Sequence, residues 1–264
     1  MSTTTSSAVR AAGGDVLRRA LPPVLLGVVG LAAWQALVVA ADVPPFLLPS
    51  PTAIVEQLVE VGPLVLEASL ATGANVLVGT LLGAVVAVLA ALLAARSRPV
   101  DAVLSPTAAA IAVLPIVALA PVLNTMFGTT TTTPRRLVVA AVVFAPVFVT
   151  TLRGLRQVLP VHRELLRSYA ATPAQLARTV TIPGALPYLF TGLRIASSTG
   201  VIAAVVAEYF GGLQDGLGSR ITSAAANSAY PRAWAFVVGA ILLGLAVYLL
   251  TLAAERLVAR RQGL

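Results

Sequence analysis

Long apolar runs broken by short polar ones set the architecture of this chain. If about twenty residues make one crossing of the hydrocarbon layer, the runs predict spans at 22–41, 68–95, 102–125, 137–152, 187–207 and 233–254. The fourth is short, and the fifth carries Arg194 near its start and Glu208 at its end. Between the first two spans, Pro44, Pro45, Pro49 and Pro51 precede an amphipathic stretch led by Thr52. That pattern predicts a segment lying at the interface. The fold class is therefore an all-α polytopic membrane protein with about six transmembrane helices. It divides into an N-terminal tail (1–21), read as loosely ordered, a transmembrane domain (22–257) and a short C-terminal tail (258–264).

Composition strengthens this reading. Hydrophobic residues make up 58% of the chain and charged ones 11%. A soluble domain cannot bury that much apolar surface, so the surplus faces lipid. The first apolar run follows basic residues, as in a signal peptide, but is too long for an h-region. The net charge of +8 comes from arginine alone, because the chain has no lysine. With alternate loops assigned to opposite sides, 13 of the 18 arginines fall on the side of the N-terminus and 4 on the other, which predicts both termini in the cytoplasm. Nucleic acid is excluded as a partner, since the arginines sit in short clusters between apolar runs without interleaved aromatic residues. There is no cysteine and one histidine, and the ten acidic residues are scattered. No catalytic cluster, metal site or cofactor is expected.

The longest polar stretch between spans, 153–183, concentrates the candidate chemistry. Its core, His162 to Pro187, reads HRELLRSYAATPAQLARTVTIPGALP. Two helical pieces, 163–171 and 173–180, are expected on either side of Thr172-Pro173, with Thr172 as N-cap and Pro173 as first helical residue. Leu165, Leu166 and Tyr169 fall on one face, flanked by Arg163, Glu164 and Arg167. A helix-turn-helix of this size is a docking knob, against the plainer alternative of a solvated basic loop.

This segment, residues 160–183, resembles the cytoplasmic coupling loop of binding-protein-dependent ABC importer permeases. Their pattern is Glu-Ala-Ala, three residues, Gly, nine residues, Ile, one residue, Leu-Pro. Here Glu164 falls on the Glu, Ala170 on the Gly, Val180 on the Ile, and Ile182-Pro183 on the Leu-Pro, while Leu165 and Leu166 replace the two alanines. The chain is also similar to the nitrate, sulfonate and taurine branch at Leu114-Pro115, Ala120-Pro121, Phe127-Gly128, Thr191 to Arg194, Ala207 to Phe210 and Gly216 to Gly218. The resemblance implies a type I importer permease in a bacterial inner membrane, pairing with itself or a close relative. It further implies two ATPase subunits, each receiving one coupling loop, and a solute-binding protein. The coupling residues it implies are Glu164, Arg167, Ser168, Ala170, Thr172, Pro173, Val180 and Pro183. Having no lysine, the chain cannot carry the Gly-x-x-x-x-Gly-Lys-Ser/Thr phosphate loop itself. The solute implied is a small anion of the sulfonate, nitrate or taurine kind, or a vitamin precursor such as a pyrimidine. The alternatives are a structural or assembly subunit of another complex and, from a different class, an intramembrane enzyme.

Polar residues within the spans are the remaining candidates: Asn75, Asn124, Arg194, Ser198 and Glu208, with Ser197 and Thr199 beside them. Arg194 and Glu208 lie about 21 Å apart along one helix and cannot pair within it. Each marks a pathway or buried partner, or else reaches to its own interface. Glu164 either orients the knob toward a partner or pairs locally with Arg167. Gly79, Gly83 and Ala87 make a small-residue ridge expected to pack a neighbouring helix. Prolines 106, 115, 121 and 146 interrupt the third and fourth spans.

Overall fold

The computed structural model describes the backbone of residues 5–158 and 160–261, and the side chains of 21–158, 161, 162, 164–166 and 168–260. The described residues form eleven α-helices: α1 (Thr5–Ala40), α2 (Pro51–Glu60), α3 (Gly62–Arg96), α4 (Arg98–Ala112), α5 (Ile116–Phe127), α6 (Thr133–Arg156), α7 (Pro160–Ser168), α8 (Pro173–Leu176), α9 (Ile182–Tyr209), α10 (Leu217–Ala226) and α11 (Tyr230–Arg261). A π-helical turn, Ala177–Thr181, joins α8 to α9. Helix α1 continues back to Thr5, where the sequence reading has a loosely ordered tail.

Five helical stretches are long and apolar enough to cross a membrane, and α4 with α5 makes a sixth only as a pair bent by 101°. The third expected span is thus broken rather than continuous. The bend falls at Val113 to Pro115. Pro115 has no N–H to continue the ladder and disfavours helical geometry at Leu114, so one helix ends and another begins with Pro115 as its N-cap. Pro106, Pro121 and Pro146 are tolerated inside helices. The short fourth span extends to 24 residues in α6, and the second lengthens to 35 in α3.

Helix α6 is the centre of the fold, held between α3 and α9. On one side the expected ridge packs directly on it. A Cβ at Gly79 would lie 2.6 Å from Val139 Cβ, one at Gly83 would lie 2.5 Å from the Ala140 carbonyl oxygen, and Ala87 is fully buried. On the other side, a Cβ at Gly154 would lie 2.7 Å from Tyr188 Cβ, and Gly192 sits against Thr150. In lipid no hydrophobic gain drives helices together, so close backbone approach through small residues supplies the packing. Thr125, Thr150 and Thr191 each donate their hydroxyl to the carbonyl of a proline four residues earlier, which satisfies them away from water.

The segment expected at the interface forms α2. Its N-cap is Ser50, whose hydroxyl accepts from the Ala53 N–H at 3.3 Å, two residues before the expected leader Thr52. Helix α2 packs on α11, where Arg232 reaches Gln57 at 3.0 Å and Glu60 at 3.2 Å. Helix α1 lies outermost, touching the rest through Gln35 to Thr52 N–H and an edge-on Trp34–Trp234 pair with ring centroids 5.5 Å apart. Its side chains from 21 onward are mostly exposed, as a lipid-facing helix requires.

Candidate functional site

Two polar assemblies stand out, at opposite ends of α9. The first is the knob formed by α7, α8 and the π turn. Helix α7 closes in a Schellman cap, with the Ala171 N–H donating to the Leu166 carbonyl at 3.0 Å and Ala170 left-handed at φ 55°. Glycine is the usual residue at such a position, because a Cβ there crowds the carbonyl. Thr172 then opens α8 with a complete capping box. Its hydroxyl accepts from the Gln175 N–H at 3.3 Å, and its own N–H donates to Gln175 Oε1 at 2.7 Å, with Pro173 following. The break between the two pieces therefore combines Ala170 and Thr172-Pro173.

Leu165, Leu166 and Tyr169 do not act as one face. Leu165 and Leu166 line a groove of about 380 Å³ with His162, Val180 and Pro183, whereas Tyr169 points outward and is 76% exposed. His162 lies within α7, and the described residues contain no cluster able to hold a metal ion. Glu164 is exposed, and Ser168 donates to the Leu165 carbonyl at 2.7 Å. The side chains of Arg163 and Arg167 lie outside the described residues.

The second assembly is buried where α9 ends. Glu208, 1% exposed, accepts from the Thr72 hydroxyl at 2.8 Å and from the Gly218 N–H at 3.1 Å. Thr72 in turn accepts from the Leu217 N–H at 2.9 Å. Helix α10 has no side-chain cap of its own, so Glu208 and Thr72 satisfy its first amides from neighbouring helices. Gly216 leaves the carboxylate room, because a Cβ there would overlap it. Arg135, also 1% exposed, lies 3.9 Å from Glu208, pairs with Asp215 at 2.6 Å and donates to the Leu213 carbonyl. Asn75 accepts from Arg136 at 3.3 Å, and buried Asn124 faces Gly211 of the same loop.

Of the intramembrane candidates, Asn75, Asn124 and Glu208 converge on this region, while Arg194 and Ser198 lie elsewhere. Arg194 pairs with Glu255 of α11 at 3.7 Å. Ser198 is exposed along an apolar groove between α9 and α11. Ser197 and Thr199 bond carbonyls of their own helix. Sequence reasoning missed Thr72, Arg135 and Asp215. Thr72 and Asn75, three apart on an otherwise apolar helix, were a usable signal. Arg135 counts in sequence only as a topology signal, because its partner is 80 residues away.

Helices packed through glycine, a span broken at a proline and a capped polar knob define an all-helical polytopic membrane protein. The sequence matches the family of binding-protein-dependent transport system inner membrane components over residues 79–263. It is 32% identical to a probable ABC transporter permease protein of Haemophilus influenzae over 200 residues, covering 76% of this chain and 81% of that one. It is also 32% identical to the formylaminopyrimidine transport permease protein ThiX of Halalkalibacterium halodurans, covering 76% of this chain and 79% of the relative. The riboflavin transport system permease protein RibX of Chloroflexus aurantiacus matches at 32% over 87% of this chain and 86% of its own. Taurine and aliphatic sulfonate permeases are among the other relatives. A solved structure, the crystal structure of an amino acid ABC transporter with histidines, shares the fold at TM-score 0.60 and 19% identity, over 75% of this chain and 96% of that one. The chain belongs to the family of binding-protein-dependent transport system inner membrane components. It is a multi-pass permease subunit of an ABC importer, not an enzyme, and that membership implies an ATPase and a solute-binding protein as partners.

Proposed function

We propose that α7 is the coupling helix of this permease and that the knob from 160 to 183 docks into a separate ATPase subunit. The observation that carries this is the build of the knob. A Schellman cap and a capping box stiffen a turn whose apolar and acidic residues, Leu165, Tyr169 and Glu164, stay exposed. Stiffness suits a lever, since closure of the ATPases must move the helix as one body. The π turn leads without interruption into α9, whose last turn carries Glu208, so a push on α7 is carried to the buried assembly at the other end.

In this reading both termini and the knob are cytoplasmic, two permease subunits enclose the pathway, and the pathway polar residues come from the set Asn75, Asn124, Arg194, Ser198 and Glu208. Ser168, Ala170, Thr172, Pro173, Val180 and Pro183 shape the knob, and Glu164 and Arg167 make its charged contacts. The solute in this reading is a small anion of the sulfonate, nitrate or taurine kind or a vitamin precursor such as a pyrimidine, in keeping with relatives named for taurine, aliphatic sulfonates and formylaminopyrimidine. The test is Glu164→Ala in the complex reconstituted with its ATPase and binding protein. Solute-stimulated ATP hydrolysis and uptake fall together if Glu164 contacts the ATPase. Both stay at wild-type rates if Glu164 is only a surface residue.

A further inference from the structure

A groove of about 540 Å³ opens between α4 and α6, distant from the Glu208 assembly and bordering the knob, where Gln157 of its lining donates to the Gly184 carbonyl at 3.2 Å. Along α6 one end is apolar, formed by Phe148, Val149 and Leu152, and the other is polar, formed by Arg153, Arg156 and Gln157 with Ser105 of α4. The order follows from α6 itself. Phe148, Leu152 and Arg156 are four residues apart on one stripe, as are Val149 and Arg153, so one helix face passes from hydrocarbon to guanidinium in about two turns. The arginines fall in the last turn of a 24-residue span, at the level of a membrane surface.

The polar end carries surplus positive charge. Arg156 is fixed by Asp101 at 2.8 Å and by the Ala94 carbonyl at 3.2 Å, and Ser105 donates to Asp101 at 2.6 Å. Among the described residues no carboxylate pairs with Arg153, and exposed Arg96 and Arg98 stand at the adjoining ends of α3 and α4. Of the carboxylates placed at this end of the bundle, Asp101 and Glu255 already pair with arginines, and Glu164 stands out on the knob rather than at the groove, so a second copy of this chain has little to answer that charge.

We propose that this groove is a binding site for an anionic glycerophospholipid, its phosphate held by Arg153 and the spare donors of Arg156 and an acyl chain lying along Val149 and Leu152. An apolar end and a basic end are the two features such a lipid matches together. The proposal does not rest on the coupling reading, because lipid occupancy is read without the ATPase.

The experiment is native mass spectrometry of the full chain, delipidated in detergent and titrated with phosphatidylglycerol or phosphatidylcholine. Wild type retains one phosphatidylglycerol per chain at concentrations where phosphatidylcholine is at least tenfold less occupied. Arg153→Gln lowers phosphatidylglycerol occupancy at least fivefold, Arg153→Lys restores most of it, and Val149→Trp, which fills the exposed groove, lowers it with the arginines intact. Arg260→Gln, on α11, changes nothing. Equal retention of the two lipids, or unchanged retention in Arg153→Gln and Val149→Trp, overturns the proposal. So does displacement of the lipid by millimolar inorganic phosphate, which would mark a site for a soluble anion.

Discussion

At the scale of single residues, Ala170 and Glu208 carry the clearest consequences. Ala170 holds a left-handed conformation that costs an L-residue about 1–2 kcal/mol and glycine little. Ala170→Gly is therefore expected to stabilise the knob by about 1 kcal/mol, read as slower limited proteolysis between α7 and α8. Asp42 and Ser228 occupy the same kind of position at the ends of α1 and α10, with the Val43 and Ala229 amides bonded back to Val38 and Ala224. Thr72→Val removes a donor to Glu208 and the acceptor for the Leu217 amide. The expected loss is about 1–3 kcal/mol, seen as a lower thermal midpoint in detergent. Arg135→Met is harsher, because it strands buried Glu208 and frees Asp215, and breaking a buried pair costs about 3–5 kcal/mol. Its yield should fall well below that of Thr72→Val. The knob was legible at this scale because its partners are local: Thr172 and Gln175 are three residues apart. The buried assembly was not, because Thr72 and Glu208 are separated by 136 residues and nothing local distinguishes a paired acid from an exposed one.

At the scale of elements, the sequence reading located the apolar helices and missed how two of them end. Apolar length identifies α3, α6, α9 and α11 without knowledge of their neighbours. The bend between α4 and α5 was marked by Pro115, yet Pro106, Pro121 and Pro146 are carried inside helices, so proline alone did not say which position would break. Helix α10 was invisible because it is ten residues long and its amides are capped by Glu208 and Thr72 from outside. The ridge on α3 was legible through spacing, but its partner on α6 required the fold. Gly83 makes the sharpest case. An added side chain there meets the backbone of Ala140, which cannot swing aside as a side chain would. Gly83→Val is expected to abolish folded yield in size-exclusion profiles, while Gly27→Val on α1, which has open space around it, leaves yield unchanged.

At the scale of the whole molecule, the arrangement predicts its own topology. If α1, α3, the α4–α5 pair, α6, α9 and α11 cross in turn, with the knob cytoplasmic as proposed, Ser97 and the knob fall on one side and Ser228 on the other. The chain has no cysteine, so single cysteines at Ser97 and Ser228 can be labelled without background. In intact cells an impermeant maleimide should modify Ser228→Cys and spare Ser97→Cys until the membrane is opened. The central claim is that the knob is where this permease meets an ATPase. Its most direct test is co-purification in mild detergent of tagged wild type beside a Leu165→Asp, Tyr169→Asp variant, whose changes are confined to exposed positions. The account predicts an ATPase subunit recovered in about equal copies with wild type and largely lost from the variant, at equal permease yield. Undiminished ATPase recovery with the variant would contradict it.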